Sequence, residues 1–149
     1  MKKHLFVFAF LGFAALPALA GQQCSPHTTR GFWVAACDGY LAPAPGAPLQ
    51  PTRLLATCTS SRTAFWDCEG TVNVGGQILP QVLHGQANNN PDCTGTITYT
   101  QTIFGQPAPD LNIRYVILDQ GSEIKGLPVD SGQVLSCVLN RISSHEEGH

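Results

Sequence analysis

The sequence is poor in lysine, and its basic residues do not cluster. Lys2, Lys3 and Lys125 are its lysines, and the arginines occur singly along the chain. The formal net charge is −2, and it becomes more negative once the first two lysines are removed with an export segment. Nucleic acids and anionic lipid surfaces are bound by clustered cationic residues. We therefore expect no nucleic-acid partner and no electrostatic docking on a membrane.

The chain also lacks a second long hydrophobic run, and the run that it has lies near the N-terminus. Leu5–Leu16 is uncharged and apolar, follows the basic start Met1–His4 and precedes the small residues of Ala18–Ala20. This pattern is typical of a bacterial signal peptide, and the run is shorter than the roughly 20 residues of a membrane span. Residues 1–20 are predicted to be a cleaved signal peptide.

Lipid attachment to the mature chain is not expected. A lipoprotein carries its cysteine directly after the small residues of the cleavage site, whereas Gly21–Gln23 precede Cys24 here. We expect a periplasmic or extracellular protein without membrane insertion after cleavage. Residues 21–142 are predicted to form a single all-β domain, and residues 143–149 a flexible C-terminal tail.

The cysteines lack a Cys-x-x-Cys motif and the spacing of a zinc site, so we expect neither a metal nor a redox role. All six follow the export segment: Cys24, Cys37, Cys58, Cys68, Cys93 and Cys137. An even number in an oxidising compartment predicts three disulfides. Three of the cysteines stand in a Cys-x-Gly context, and these are Cys37, Cys68 and Cys93. The sequential pairing 24–37, 58–68 and 93–137 joins one of each kind in every bridge, and we favour it over the other connectivities.

Helical periodicity is missing, and alternation of polar and apolar residues takes its place. Thr96–Ile103 alternates strictly, and Asn112–Leu118 is rich in β-branched and aromatic residues. The two segments predict a hairpin joined by the turn cluster Gly105–Asp110. Val134–Ile142 is predicted to be a last strand.

Three segments of the first half are also predicted to be strands: Gly31–Ala36, Arg53–Thr59 and Ala64–Val74. Ile78–His84 contains Pro80, which favours an edge position in a sheet. The fold class predicted is all-β, a disulfide-stapled antiparallel sandwich or small barrel of about seven or eight short strands.

Recognisable catalytic motifs are missing as well. His145–His149 matches the letters of a zinc-protease motif, but these are the last five residues and lack the helix that the motif needs. We expect no metal, no cofactor and no catalytic residue, and we lean towards a protein that is not an enzyme. One alternative remains open, in which Asp67 and Asp92 serve a small secreted hydrolase.

Rigid loops give the best indication of a binding surface. The proline-rich segment Ala42–Pro51 is predicted to be extended and preordered, which lowers the entropy lost on binding, and Gly105–Asp110 is a second such connection. Phe65 is expected to point outward. The candidate binding residues are Pro43, Pro45, Pro48, Phe65, Pro107 and Pro109.

The leading hypothesis is a small exported, disulfide-bonded protein that binds an unknown protein or glycan, in the manner of a rigid-loop inhibitor, without catalysis. The first alternative is the hydrolase that uses carboxylates near Asp67 and Asp92. The second is a structural subunit of an envelope assembly, whose apolar strands complete the sheet of a neighbour.

Overall fold

The computed structural model describes residues 23–44 and 46–143, so the predicted signal peptide, Pro45 and the tail after Ser143 lie outside the described residues. Two short 3-10 turns occur, at Pro26–Thr29 and Asp119–Gly121. The strands are β1 Gly31–Leu41, β2 Gln50–Ser60, β3 Phe65–Val74, β4 Gln77–Asn89, β5 Thr94–Ile103, β6 Gln106–Leu118, β7 Glu123–Pro128 and β8 Gln133–Ser143.

The eight strands form one closed antiparallel barrel. Each strand pairs with the next in the chain, and β8 pairs with β1 to complete the ring. The all-β prediction is confirmed, and of the two architectures expected the chain adopts the barrel. A barrel of about eight strands has an interior just wide enough to be filled by side chains or to hold one small ligand.

Alternation along each strand separates the interior of the barrel from its outer wall. On β5, Ile97 and Tyr99 are buried inside, while the threonines between and beside them are exposed on the outer wall. Trp33 and Trp66 also point inward, and their ring centres lie 5.6 Å apart. Large aromatic rings thus form part of the buried interior of the barrel.

Two glycines provide the room for the tyrosine rings in this narrow interior. A Cβ atom at Gly95 would lie 2.4 Å from Cζ of Tyr115 on the neighbouring strand. At Gly85 it would lie 2.5 Å from Cδ1 of Tyr99. Carbon atoms cannot approach so closely, so each glycine is required by the ring that covers it.

The disulfide between Cys37 and Cys137 crosses the pair of strands that closes the barrel. The two cysteines are register partners on β1 and β8, with Cα atoms 4.1 Å apart. Cys58 and Cys68 are likewise register partners on β2 and β3, which confirms the predicted 58–68 bridge.

The predicted bridges 24–37 and 93–137 are wrong, because Cys24 pairs with Cys93 and Cys37 with Cys137. Each bridge does join a Cys-x-Gly cysteine to one of the other kind, as expected. The pairing in sequence order is wrong for two topological reasons. The last strand pairs with the first, and the N-terminal segment crosses to the turn between β4 and β5.

The N-terminal segment closes one end of the barrel. The indole nitrogen of Trp33 donates to the carbonyl oxygen of Thr29 at 2.9 Å, and the Asn89 amide donates to that of Ser25 at 2.9 Å. The guanidinium carbon of Arg141 lies 4.8 Å from the centre of the Trp33 ring, as in a cation–π contact. The N-terminal segment therefore covers this end of the barrel, which is here called the floor.

Pro80 does not mark an edge strand, since β4 lies inside a closed ring with β3 and β5 on its two sides. Pairing of β4 with β5 begins only at Gln81, and Pro80 pairs with Thr71 of β3. A residue without an N–H group is tolerated there because the ladder to β5 has not yet started.

The predicted turn at Gly105–Asp110 is also wrong. The chain reverses at Phe104 and Gly105, whose φ angles are 52° and 72°, and β6 already begins at Gln106. A two-residue turn with both φ angles positive is of the type that suits a twisted hairpin. Pro107 and Pro109 are consequently strand residues.

Replacing Cys37 and Cys137 together by alanine is expected to destabilise the barrel more than the same change at Cys58 and Cys68. The first bridge spans 100 residues and the second 10. Loop-closure entropy contributes about 3 kcal/mol for a loop of about 15 residues and about 4.7 kcal/mol for one of about 100 residues. Urea unfolding should therefore show a difference of about 2 kcal/mol between the two double variants. Equal losses would contradict this assignment of the closing bridge.

Stability is also expected to fall in alkali. Burial raises the pKa of Tyr115 to about 12, and it raises the pKa of Tyr99 as well. Tyrosines of the unfolded chain titrate near pH 10, so the stabilisation is complete below about pH 10 and is lost as the pH rises towards 12. Urea unfolding followed by tryptophan fluorescence should show this decline, and Tyr115→Phe should make it shallower. Parallel pH profiles for the two proteins would refute the explanation.

Candidate functional site

The end of the barrel opposite the floor holds a cavity of about 970 Å³, here called the mouth cavity. In a meander of eight strands, every second connection lies at the same end of the barrel. The connections at this end are β1–β2, β3–β4, β5–β6 and β7–β8. The volume is in the range of pockets that receive small ligands. Its lining consists of Leu41, Ala42, Pro43, Ala44, Gly46, Gln50, Val74, Gly75, Gln77, Leu79, Gln101, Ile103, Ala108, Pro109, Asp110, Asp130, Ser131, Gly132 and Gln133.

Aliphatic walls and primary amides dominate this lining. The described lining residues include no aromatic ring and no Lys, Arg or His, while Asp110 and Asp130 are its ionisable groups. An anion placed in the mouth cavity would find no counter-charge among these residues. The chemistry of the lining therefore favours a ligand that is not anionic.

A chain of two hydrogen bonds fixes the glutamine amides below the mouth. Gln101 lines the mouth cavity and donates its side-chain N–H to the carbonyl oxygen of Pro109 at 2.5 Å. Gln81, which is 5% exposed, donates to the side-chain oxygen of Gln101 at 2.6 Å. Because a carbonyl oxygen only accepts, the chain sets the direction of both amides. The side-chain oxygen of Gln81 is left pointing away from the pair.

Two glutamine oxygens in this region have no hydrogen-bond partner. They belong to Gln81 and to Gln133, and both atoms are buried. Leaving a buried acceptor unpaired costs about 1–3 kcal/mol. Gln133 lines the mouth cavity, whereas Gln81 lies behind Gln101 and is not among the lining residues, so the candidate polar contacts of the cavity are the amides of Gln101 and Gln133.

One side wall of the mouth cavity is a connection and not a regular strand. β7 is the shortest strand and pairs with β8 only from Glu123 to Gly126, so the segment 129–132 covers the rest of the gap between β6 and β8. The carboxylate of Asp130 accepts from the backbone and side-chain nitrogens of Asn112 at 2.7 and 2.9 Å. Beyond the end of β7, where β6 has no strand partner on that side, Asp130 thus holds the segment 129–132 against β6.

The predicted binding residues are brought together only in part. Pro43 and Pro109 line the mouth cavity, so the two proline-containing segments do meet there. Pro48 and Pro107 are exposed and stand outside the lining. Phe65 begins β3 on the outer wall and is 40% exposed, and Pro45 lies outside the described residues.

Sequence reasoning missed the glutamines of the mouth. Gln101 lies within the predicted strand Thr96–Ile103, but the sequence predicted no binding role for Gln101, Gln81 or Gln133. The available signal was a polar residue at an inward position of a strand, since a buried amide needs partners. That signal becomes readable only when the direction of each strand face is known.

The outer wall carries a second, shallower pocket of about 640 Å³ lined by Asp67 and His84 among others. Nδ1 of His84 lies 2.6 Å from Oδ1 of Asp67, and both side chains are about half exposed. Thr100 is the register partner of His84, but its hydroxyl donates to the His84 carbonyl oxygen at 3.3 Å. A nucleophilic hydroxyl would have to reach the imidazole ring instead.

Asp92, the other carboxylate of the hydrolase alternative, lies in the turn between β4 and β5. Its carboxylate accepts hydrogen bonds from the Thr94 hydroxyl at 2.7 Å and from the Thr94 backbone nitrogen at 3.0 Å. These bonds lower the pKa of Asp92. A general acid of a glycosidase needs the opposite shift.

Comparisons of the chain with protein-family models, with curated proteins and with solved structures find no match. Within the described residues, no three His, Cys, Asp or Glu side chains are grouped so as to hold a metal ion. In the same part of the chain, no helix is long and apolar enough to cross a membrane. The three disulfides indicate an oxidising, non-cytosolic compartment.

The Asp130→Ala variant is expected to loosen the side wall without unfolding the barrel. It removes the acceptor of both Asn112 hydrogen bonds, and hydrogen bonds to a charged group contribute about 1.5–3 kcal/mol each. Amide hydrogen exchange should accelerate in 129–132 and at the start of β6, while β1 and β2 stay protected. The matched control is Asp110→Ala, a change at an exposed carboxylate of the same rim. Uniform acceleration over all strands, or none in the wall, would contradict the role of Asp130.

Proposed function

We propose that this chain is a small exported binding protein that engages a protein or glycan ligand at the mouth cavity and performs no chemistry on it. The observation that carries the proposal is the mouth cavity itself, whose lining joins Pro43 of the first connection to Pro109 of β6. Export by the signal peptide in residues 1–20, a bacterial origin and a periplasmic or extracellular location belong to the same proposal.

The scaffold supports this proposal because it holds the mouth rigidly. Three disulfides and a closed hydrogen-bonded ring restrict the strands from which the connections emerge. Proline in the segment Ala42–Pro51 limits its backbone further. A preordered surface loses less conformational entropy on association, which suits a protein that binds without catalysis.

Between the two ligand classes, the lining favours a protein. Sugar rings commonly pack their apolar faces on aromatic side chains, and the described lining residues include none. Aliphatic groups such as Leu41, Leu79 and Ile103 instead suit the aliphatic side chains of a partner protein. Tyr40 on β1 and Phe104 in the β5–β6 turn are exposed at the mouth end but are not among the lining residues, while Phe32 and Phe65 lie at the floor end.

The hydrolase alternative retains one supporting observation, the contact between His84 and Asp67.

The assembly alternative requires a strand edge that accepts a neighbour. The part of β6 that extends beyond β7 contains Pro107 and Pro109, which lack N–H donors and blunt such an edge. Both alternatives therefore have weaker support than the binding protein.

The proposal is tested by capture of ligands from a native envelope extract on the immobilised, oxidised protein, with mass spectrometry of what is retained. Ala44→Trp and Ala108→Trp place a large ring in the mouth cavity and should abolish retention of the specific ligand. Thr100→Trp adds the same ring to the outer wall and should leave retention unchanged. A panel of polysaccharides and peptides should remain uncleaved.

Two results would reverse the ranking of the functions. Turnover of any member of the panel, lost in an Asp67→Asn variant, would establish the hydrolase. Retention that is insensitive to both mouth variants and sensitive to Thr100→Trp would move the binding surface to the outer wall.

A further inference from the structure

Opposite sides of the barrel carry charges of opposite sign. Asp67 and Glu69 of β3 project into solvent, and the outer wall of β2 and β3 is here called the acidic face. Arg114 of β6 and Lys125 of β7 also project into solvent, and the outer wall of these two strands is called the basic face. In the ring of eight strands, β2 and β3 stand four positions from β6 and β7. The two faces therefore point in opposite directions.

Each face keeps a charge that the protein does not balance. Within the described residues, Glu69 of the acidic face and Arg114 of the basic face take part in no ion pair. Asp67 contacts His84, which is charged only when it is protonated. Arg53, the cation of β2, is already paired with a carboxylate at 2.9 Å. At neutral pH the acidic face is therefore negative and the basic face positive.

Exposed aliphatic side chains lie beside both unbalanced charges. Leu55 of β2 is 59% exposed and lies diagonally across from Glu69, whose register partner is Thr57. Leu127 of β7 is 57% exposed and is the register partner of Arg114. Each face thus combines charge with apolar surface, as the contact surfaces of proteins do.

The basic face is also concave. It carries a shallow depression of about 830 Å³ whose lining includes Arg114, Lys125, Val116 and Leu127. Side chains of an approaching surface can therefore reach both cations and the aliphatic groups together. A surface that is acidic and partly apolar fits this face best, and the acidic face of another copy is such a surface.

We propose that copies of this chain associate through their outer walls, with the acidic face of one copy against the basic face of the next. The contact joins unlike surfaces that point in opposite directions on each barrel, so it repeats into an open row. The mouth cavity of every copy stays accessible, because the outer walls make the contact. A row presents several mouths to one partner and so raises the avidity. This inference goes beyond the proposed function and does not depend on it.

Sedimentation velocity of the oxidised protein over a range of concentrations tests the association. The chain has a net negative charge, so copies repel one another at long range and the contact should form only at high protein concentration. In about 0.1 M salt, where the Debye length is about 10 Å, the mean mass should rise with concentration. In about 1 M salt, where it is about 3 Å, the association constant should fall at least about tenfold.

Charge reversal identifies the two faces. Arg114→Glu gives a protein with two negative faces, and the double variant Asp67→Asn with Glu69→Arg gives one with two positive faces. Each protein alone should stay monomeric, because like charges would meet in the contact. An equimolar mixture of the two should associate again, since each finds a face of opposite charge on the other. Mixing would not repair a damaged fold.

Arg30→Glu is the matched control for Arg114→Glu. It changes the net charge by the same amount, but Arg30 precedes β1 and lies on neither face. It should leave the association constant unchanged. Arg114→Gln removes the charge without reversing it and should weaken association less than Arg114→Glu does. Thermal unfolding of each variant checks that the barrel is intact.

Several outcomes overturn the inference. One is a monomer at every concentration in about 0.1 M salt. Others are an association constant that Arg114→Glu leaves unchanged, and a mixture of the two charge-reversed proteins that stays monomeric. Association that is abolished by Ala44→Trp would place the contact at the mouth cavity and equally refute the inference. The proposed function is tested separately, by retention of a ligand at the mouth.

Discussion

The pairing of β1 with β8 is the constraint on which the rest of the structure depends. It converts a meander of strands into a ring, and the Cys37–Cys137 bridge fastens the two strands at register partners. Closure decides which face of every strand is interior, so it also decides that Trp33 and Trp66 meet at the floor end. Without closure, the mouth cavity would have no opposite walls.

The two ends of the barrel differ because different side chains fill the interior at each end. The N-terminal segment seals one end through the bond of Trp33 to Thr29 and through the Cys24–Cys93 bridge. The other end has aliphatic and amide side chains and only connections above it. The mouth end is thus open to a ligand, whereas the floor end is covered by the N-terminal segment. The function proposed here is the consequence of that asymmetry.

Much of the fold could be predicted because alternation is a local property of the sequence. The alternation of Thr96–Ile103 indicated its inward and outward faces directly, and the all-β fold class was confirmed. The bridges were harder, because Cys-x-Gly context identified the two kinds of cysteine but not which strands are neighbours. The glutamines of the mouth could not be predicted at all, since Gln101 of β5 and Gln133 of β8 line one cavity only through the ring. Local sequence patterns are enough to predict strands. A site formed by residues of distant strands can be predicted only when the strand topology is known.

Mapping the disulfides of the unreduced protein tests the central claim, closure of the ring, most directly. Tryptic digestion without reduction separates Cys37 and Cys137 from the other cysteines, since Arg30 and Arg53 flank the peptide of Cys37 and Lys125 precedes the peptide of Cys137. A closed ring requires that mass spectrometry find the peptide containing Cys37 joined to the one containing Cys137, with all other cysteines in a second linked species. A peptide containing Cys24 joined to the one containing Cys37 would contradict the account.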